Sequence, residues 1–573
     1  MRLIARHFVA ASLCFATGFA PLSNAAPAVT AKPVKPAAEA ALPKLALTNQ
    51  ILYEFLVAEI AGQRGELGVA SEAYLDLAQK TRDPRLAQRA TEVALFAHQA
   101  KAARAAASLW LDVQPDSLNA QKALAALLVG DGKLSDARPH LEKLIAAEGG
   151  NPGVGFMQLN ALLMQQKDKP ATLALVKNLA APYPNLAEAH YAIAQAAVNA
   201  GQFDDALSEI KMAARLKPGW EAAALFQFLL IQRDGKDNGA AFLKDFLQRY
   251  PNAREVRLTY ARQLVSLSQY SQARDEFRVL AKAVPDNPEI TLAVGLLSLQ
   301  LNDLDDADAA FKQTLQLGYP DQGTVQIYLG QVAEARKQYT EAAKWYQSVQ
   351  AGKHYLPAQI RYAALLAKQG KLAEARTYLH GVKTENAADQ VRLIQAEAEL
   401  LRDAKDDQGV YDLLSTALAG QPDSPELLYD HAMAAERVNK LDVLEKDLRR
   451  LIVLKPDYAH AYNALGYTLA DRTNRLDEAV KLLEQALKLA PNDPFILDSM
   501  GWAQYRQGNI DASLSYLRHA YSLRPDPDIA AHLGEVLWSQ GKRDDAHKLW
   551  QTSLDSNPHN AALLSVMQKF SQP

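Results

Sequence analysis

The 573-residue sequence predicts an all-α protein, a superhelical solenoid of about fifteen helix hairpins. Three observations carry that prediction. Gly466, Gly501 and Gly534 fall into register with Ala479, Ser513 and Ala546 and with Pro491, Pro525 and Pro558, a repeat of 33 to 35 residues. Within one repeat, Tyr462, Leu465 and Leu469 recur at helical spacing, and Leu476, Ala479, Leu483 and Ala486 do the same one element later. Strand-like alternation is missing, and the Gly and Pro clusters fall where a hairpin must turn.

The elements follow in chain order. Arg2 and Arg6, the apolar run from Phe8 to Ala20 and the small residues Ser23-Asn24-Ala25 make residues 1–25 a signal peptide, too short for a permanent span. The only cysteine, Cys14, lies inside it, so cleavage leaves a chain without a thiol. A lipobox reading of Cys14 needs a small residue before it, and Leu13 stands there, so a soluble periplasmic protein is expected ahead of an outer-membrane lipoprotein. Residues 26–47, rich in Pro, Ala and Lys, read as an extended tether. The solenoid is expected over 48–558. Pro184, Pro218, Pro251, Pro285 and Pro320 mark successive repeat ends, because proline cannot continue a helical hydrogen-bond ladder. The phase blurs near 345–420, where a looser joint is expected, and is best formed over 457–558. Gly466 sits inside a helix at a cost of about 1 kcal/mol against alanine, which marks it as a point of close helix crossing. Residues 559–573 would form a capping helix, since terminal repeats need a cover.

The signature of large apolar residue, Leu-Gly, aromatic, Ala and final Pro in 461–493 resembles the tetratricopeptide repeat. A narrower resemblance covers about 455–560. YNALGYTLADRT, DSMGWAQYRQG and YLRHAYSLRPDPDIAAHLGEVLW are similar to the end of a family of long envelope repeat proteins of Gram-negative bacteria. That resemblance implies an adaptor that binds a carboxyl-terminal processing protease and promotes degradation of cell-wall hydrolases.

Composition and motifs narrow the chemistry. Sixty-two basic against 65 acidic residues give a net charge of -3, without the basic stripe of a nucleic-acid binder. Twelve histidines stand singly, with no His-Glu-x-x-His or Cys-x-x-Cys spacing, so neither metal nor cofactor is expected. Gly130-Asp131-Gly132-Lys133 follows no strand and reads as a repeat turn. Asp303, Asp305, Asp306 and Asp308 lack the glycine of a calcium loop and read as helix-start carboxylates. No Ser, His and Asp set is recognisable in the sequence, and an enzyme is not expected.

A binding role would fall on the inner face of the first helices. Helical spacing places Asn463 and Tyr467 on one stripe, Asp498, Trp502, Tyr505 and Arg506 on the next, and Glu535 on the third. The offset stacks Tyr467 with Trp502 and Glu535, and Tyr505 with Trp538. Aromatic residues among charges suit a groove for protein partners, while packing between hairpins is an equal alternative for Trp502 and Tyr467. Arg506 shows no packing role in the sequence. Trp110, Trp345 and Trp550 fall in second helices and read as core. The leading expectation is a periplasmic scaffold holding a protease, its hydrolase substrate or both. The alternative is a structural scaffold for outer-membrane assembly or polysaccharide export.

Overall fold

A computed structural model describes residues 43–147, 151–163, 166–233, 238–384 and 386–571. The segment expected to be a signal peptide, most of the expected tether and part of the glycine-rich stretch at 149–155 lie outside these. Among the described residues there are 31 helices, 79% helix in all and no strand, which is fifteen hairpins followed by one further helix. The first helix, Asn49–Gln63, is capped by Thr48, whose side chain accepts from the Ile51 amide. The contacts divide the chain into two compact units, one ending at Pro320 and one beginning at Asp321.

Each unit is a run of hairpins whose two helices meet at a small residue. A Cβ added to Gly466 would stand 2.7 Å from Leu483 Cγ and 3.1 Å from the Ala479 carbonyl, so the two helix backbones are close enough to need the glycine. Gly501 faces Leu517 in the same way, Gly534 faces Trp550, Gly295 faces Phe311 and Gly330 faces Tyr346. The partner always lies 16 or 17 residues later, in the second helix. Helix starts are set by side chains: Asp493 accepts from the Phe495 and Ile496 amides with Pro494 at the first helical position, and Ser424 with Pro425 and Asn287 with Pro288 repeat the arrangement.

The proline that ends a repeat has a second role. Its carbonyl accepts from a first-helix residue six positions later: Gln121 to Pro115, His190 to Pro184, Arg257 to Pro251 and Tyr462 to Pro456. The first three of these side chains also reach the second helix of their own hairpin, at His140, Glu209 and Glu276. One side chain thus ties three segments together and satisfies a carbonyl that the helix end would leave open.

Over 345–420 the second helices Tyr339–Ser348 and Leu372–Gly381 hold ten residues, and the first helix Ala387–Asp403 holds seventeen. The blurred phase in that stretch comes from these unequal lengths, while Tyr346, Leu379, Leu401 and Leu414 are buried there. At the end of the chain the helix Ala561–Ser571 buries Leu563 and Val566 and lays Phe570 against Trp538 and Trp550.

Candidate partner-binding surface

Three first helices of the second unit, Ala459–Arg472, Pro494–Arg506 and Pro527–Ser539, carry the residues singled out from the sequence. The first two each pack on the first helix of the next hairpin and the third packs on the final helix Ala561–Ser571, so residues one repeat apart come together. Trp502 is buried, and its indole Nε1 donates to Asp471 Oδ1 at 3.1 Å. Asp498 is buried and accepts from His532 Nδ1 at 2.9 Å. The His532 ring stacks on Trp502 at 4.4 Å and 24° and lies 6.1 Å from Tyr467. Tyr505 leans on Trp502 at 5.3 Å. Glu535 accepts from Lys569 of the final helix at 2.7 Å. Asn463 Oδ1 is buried without a hydrogen-bond partner.

Four sequence expectations change. Tyr467 and Trp502 do not stack on each other, because His532 comes between them, tethered to Asp498. Tyr505 does not meet Trp538, which turns instead to Trp550 and Phe570, where Gly534 leaves room for the larger ring. Arg506 has a packing role after all: its Nη1 donates to the Asp471 carbonyl at 2.7 Å, closing the end of the preceding first helix. Trp110 and Trp550 are buried as second-helix core, whereas Trp345 is half-buried and its neighbour Tyr346 fills the seam.

The surface is acid-rich. Burial pushes the Tyr467 hydroxyl well above the usual tyrosine range, and the carboxylates of Asp471, Asp498, Glu436 and Asp528 push it further. For His532, burial works to lower the imidazole, but the charge and hydrogen bond of Asp498, with Glu535 and Asp471 beyond, outweigh it and raise the value above 6.5. Burial likewise raises Glu436, with Asp471 adding to the rise against Arg472 and Arg437. His532 was not among the sequence candidates. Its signal was available as a histidine 34 residues after a carboxylate, one repeat apart on neighbouring first helices.

The structure also brings together a set that the sequence did not reveal. Ser415 Oγ lies 2.8 Å from His431 Nε2, and His431 Nδ1 lies 2.6 Å from Asp447 Oδ2. The three residues stand on three successive helices at intervals of 16. Ser415 sits inside the helix Asp407–Gly420, and its hydroxyl donates to the Tyr411 carbonyl at 2.7 Å. Backbone amides inside that helix are taken up by the helical ladder and are not free to hold a substrate's oxyanion, as an acyl-transfer site requires. The arrangement is a tie between helices. His354 with Asp321 and His380 with Glu397 are further histidine–carboxylate pairs. Among the described residues no three His, Cys, Asp or Glu side chains converge as metal ligands. Asp303 and Asp306 are held by Arg274 and Arg278. No helix among the described residues is long and apolar enough to cross a membrane.

Hairpins joined through small-to-large crossings, with charged and aromatic residues repeated along successive first helices, define a helical-repeat protein of the protein-interaction scaffold class. The tetratricopeptide-repeat family profile matches residues 258–310, 292–355 and 429–494. The TPR repeat-containing protein PA4667 of Pseudomonas aeruginosa is 33% identical over 484 residues, covering 84% of this chain and 82% of that protein. The chain belongs to the tetratricopeptide-repeat proteins. Solved structures that resemble it include the thermophilic TPR protein TTC0263 of Thermus thermophilus, at 22% identity over 30% of this chain and 95% of that one, with a TM-score of 0.28. The APC/C hetero-tetramer Cut9-Hcn1 matches at 14% identity over 85% of this chain and 97% of that one, with a TM-score of 0.29. Overlaps at these scores carry no functional argument.

Proposed function

We propose that the chain is a non-catalytic periplasmic adaptor that holds a carboxyl-terminal processing protease and presents cell-wall hydrolases to it. The observation that carries the reading is the position of the acid-rich aromatic surface. It lies within 457–558, the block that resembles the envelope adaptor family, where half-buried Tyr467, Tyr505 and His532 lie against the buried Trp502. Tyrosine and tryptophan beside charges are the residue types that anchor protein partners. The chemistry of the adaptor is positional: tethering two weak partners raises their apparent affinity by about a hundredfold or more. The leader at 1–25 supports export, and cleavage after Ala25 would be read by the mass of the mature chain in a periplasmic fraction.

Affinity capture from periplasmic extract is the test. Wild-type protein is expected to enrich a carboxyl-terminal processing protease, and Tyr505→Ala to lower its recovery about tenfold, the loss of about 1.4 kcal/mol. Equal recovery by both proteins removes the surface assignment, and recovery of an outer-membrane barrel or export polymerase in place of a protease supports the alternative scaffold. A fluorophosphonate probe should leave Ser415 unlabelled; labelling would overturn the non-catalytic reading.

A further inference from the structure

In the first unit a cavity of about 520 Å³ opens between the helix Phe203–Leu216, the turn that follows it, and the helices Glu221–Arg233 and Asn238–Arg249. Its walls are Trp220, Phe242, Phe246 and Tyr250. Two of the walls brace each other, Phe246 lying 4.8 Å from Tyr250, and Trp220 is braced from outside by Tyr191 at 4.8 Å. Gly219, at φ +77°, lets Tyr250 close down on the turn, since a Cβ there would stand 3.1 Å from its ring. The volume falls within the roughly 300–1,000 Å³ of ligand-binding cavities.

Three cations border the cavity. Lys211 and Arg215 stand one helical turn apart and are exposed, and among the described residues neither has a carboxylate partner. Like charges at that spacing repel by about 0.2–0.5 kcal/mol, and no carboxylate among the described residues relieves them. Among the described residues Arg249 pairs with Asp245 one turn away on its own helix, a pair that an incoming carboxylate can exchange. The cavity therefore offers an apolar slot with unneutralised positive charge at its mouth.

We propose that this cavity is a second binding site, for a peptide segment in which a large apolar side chain stands beside carboxylates. The side chain enters between Phe242, Phe246 and Tyr250, and the carboxylates meet Lys211, Arg215 and Arg249. An acidic polysaccharide fits less well, because a sugar ring stacks on an open aromatic face. Trp220 has Lys217 Nζ 4.6 Å from its ring centre, held by Glu188 at 2.6 Å, as well as Tyr191 against it. The site uses residues remote in sequence from the acid-rich surface of the second unit and stands apart from the adaptor reading.

The experiment follows the anisotropy of a fluorescein-labelled peptide of alternating aspartate and phenylalanine on the full mature chain. The expected result is saturable binding that weakens with salt and falls at least about tenfold in the double variant Lys211→Glu, Arg215→Glu. Both side chains are exposed and have no ion-pair partner among the described residues, so the variant should keep the wild-type circular dichroism and Tm. Peptides with alanine for phenylalanine, or lysine for aspartate, should lose binding. Undiminished binding to the double variant, binding of the lysine peptide, or preference for oligogalacturonate would each overturn the proposal. Protease capture through the second unit is a separate readout and can succeed or fail independently.

Discussion

The three hairpins of 457–558 and the two of 387–454 share one register and fill it differently. Crossings pair Gly466 with Leu483, Gly501 with Leu517 and Gly534 with Trp550 in the first group; Ala398 and Leu414, then Ala432 and Leu448, take the corresponding positions in the second, all buried. The residue just before the crossing is Leu465, Met500 or Leu533 in the first group, and Glu397 or His431 in the second, again buried. Glu397 accepts from Arg376 Nε at 2.7 Å and pairs with His380 at 2.8 Å; His431 is matched by Asp447 and Ser415. The small-to-large crossing is what maintains the hairpin. The neighbouring position tolerates a polar group when adjacent helices supply its partners, because a buried group left unmatched costs about 1–3 kcal/mol.

The comparison can be broken at its strongest crossing first. Trp550 is wholly buried between Gly534, Trp538 and Phe570, so Trp550→Ala should destabilise the second unit by about 3–5 kcal/mol, read by urea denaturation. Next comes the polar seam. Asp447→Ala should cost about 1–3 kcal/mol, while His431→Leu combined with Asp447→Leu, which removes both partners, should be near neutral. A double variant as unstable as the single one would show that the polar pair and the apolar seam are not interchangeable. Gly501→Ala sets two smaller effects against each other. Alanine gains about 1 kcal/mol in helix propensity, but its Cβ would lie 2.6 Å from Leu517 Cγ, and overpacking costs about 1–3 kcal/mol. A net loss is expected, and a raised Tm would refute the close crossing.

The gentlest test uses pH and the polar pair inside the apolar block. His532 is raised above its ordinary 6.5 in the folded protein, so the stability it draws from Asp498 is fully present below pH 6.5 and is lost as pH rises through the higher folded value. Asp498→Asn should flatten that part of the profile of Tm against pH. Identical profiles would remove the pair from the account.

The fold was legible because its causes are local. A glycine or alanine followed at 16 or 17 residues by a large side chain, a closing proline and two amphipathic stretches specify a hairpin, and the described residues hold 31 helices arranged in such hairpins with one further helix. The candidate surface was legible only as a set of positions. Which side chain meets which depends on how far each helix is rotated against the next, and that is set by the packed volumes at the crossings. Hence the stripe of Tyr467, Trp502 and Glu535 could be drawn from spacing, while the insertion of His532, the closure of a helix end by Arg506 and the joining of Ser415, His431 and Asp447 could not. The basic cavity was hidden for the same reason, its walls coming from three helices and a turn that only tertiary packing brings together.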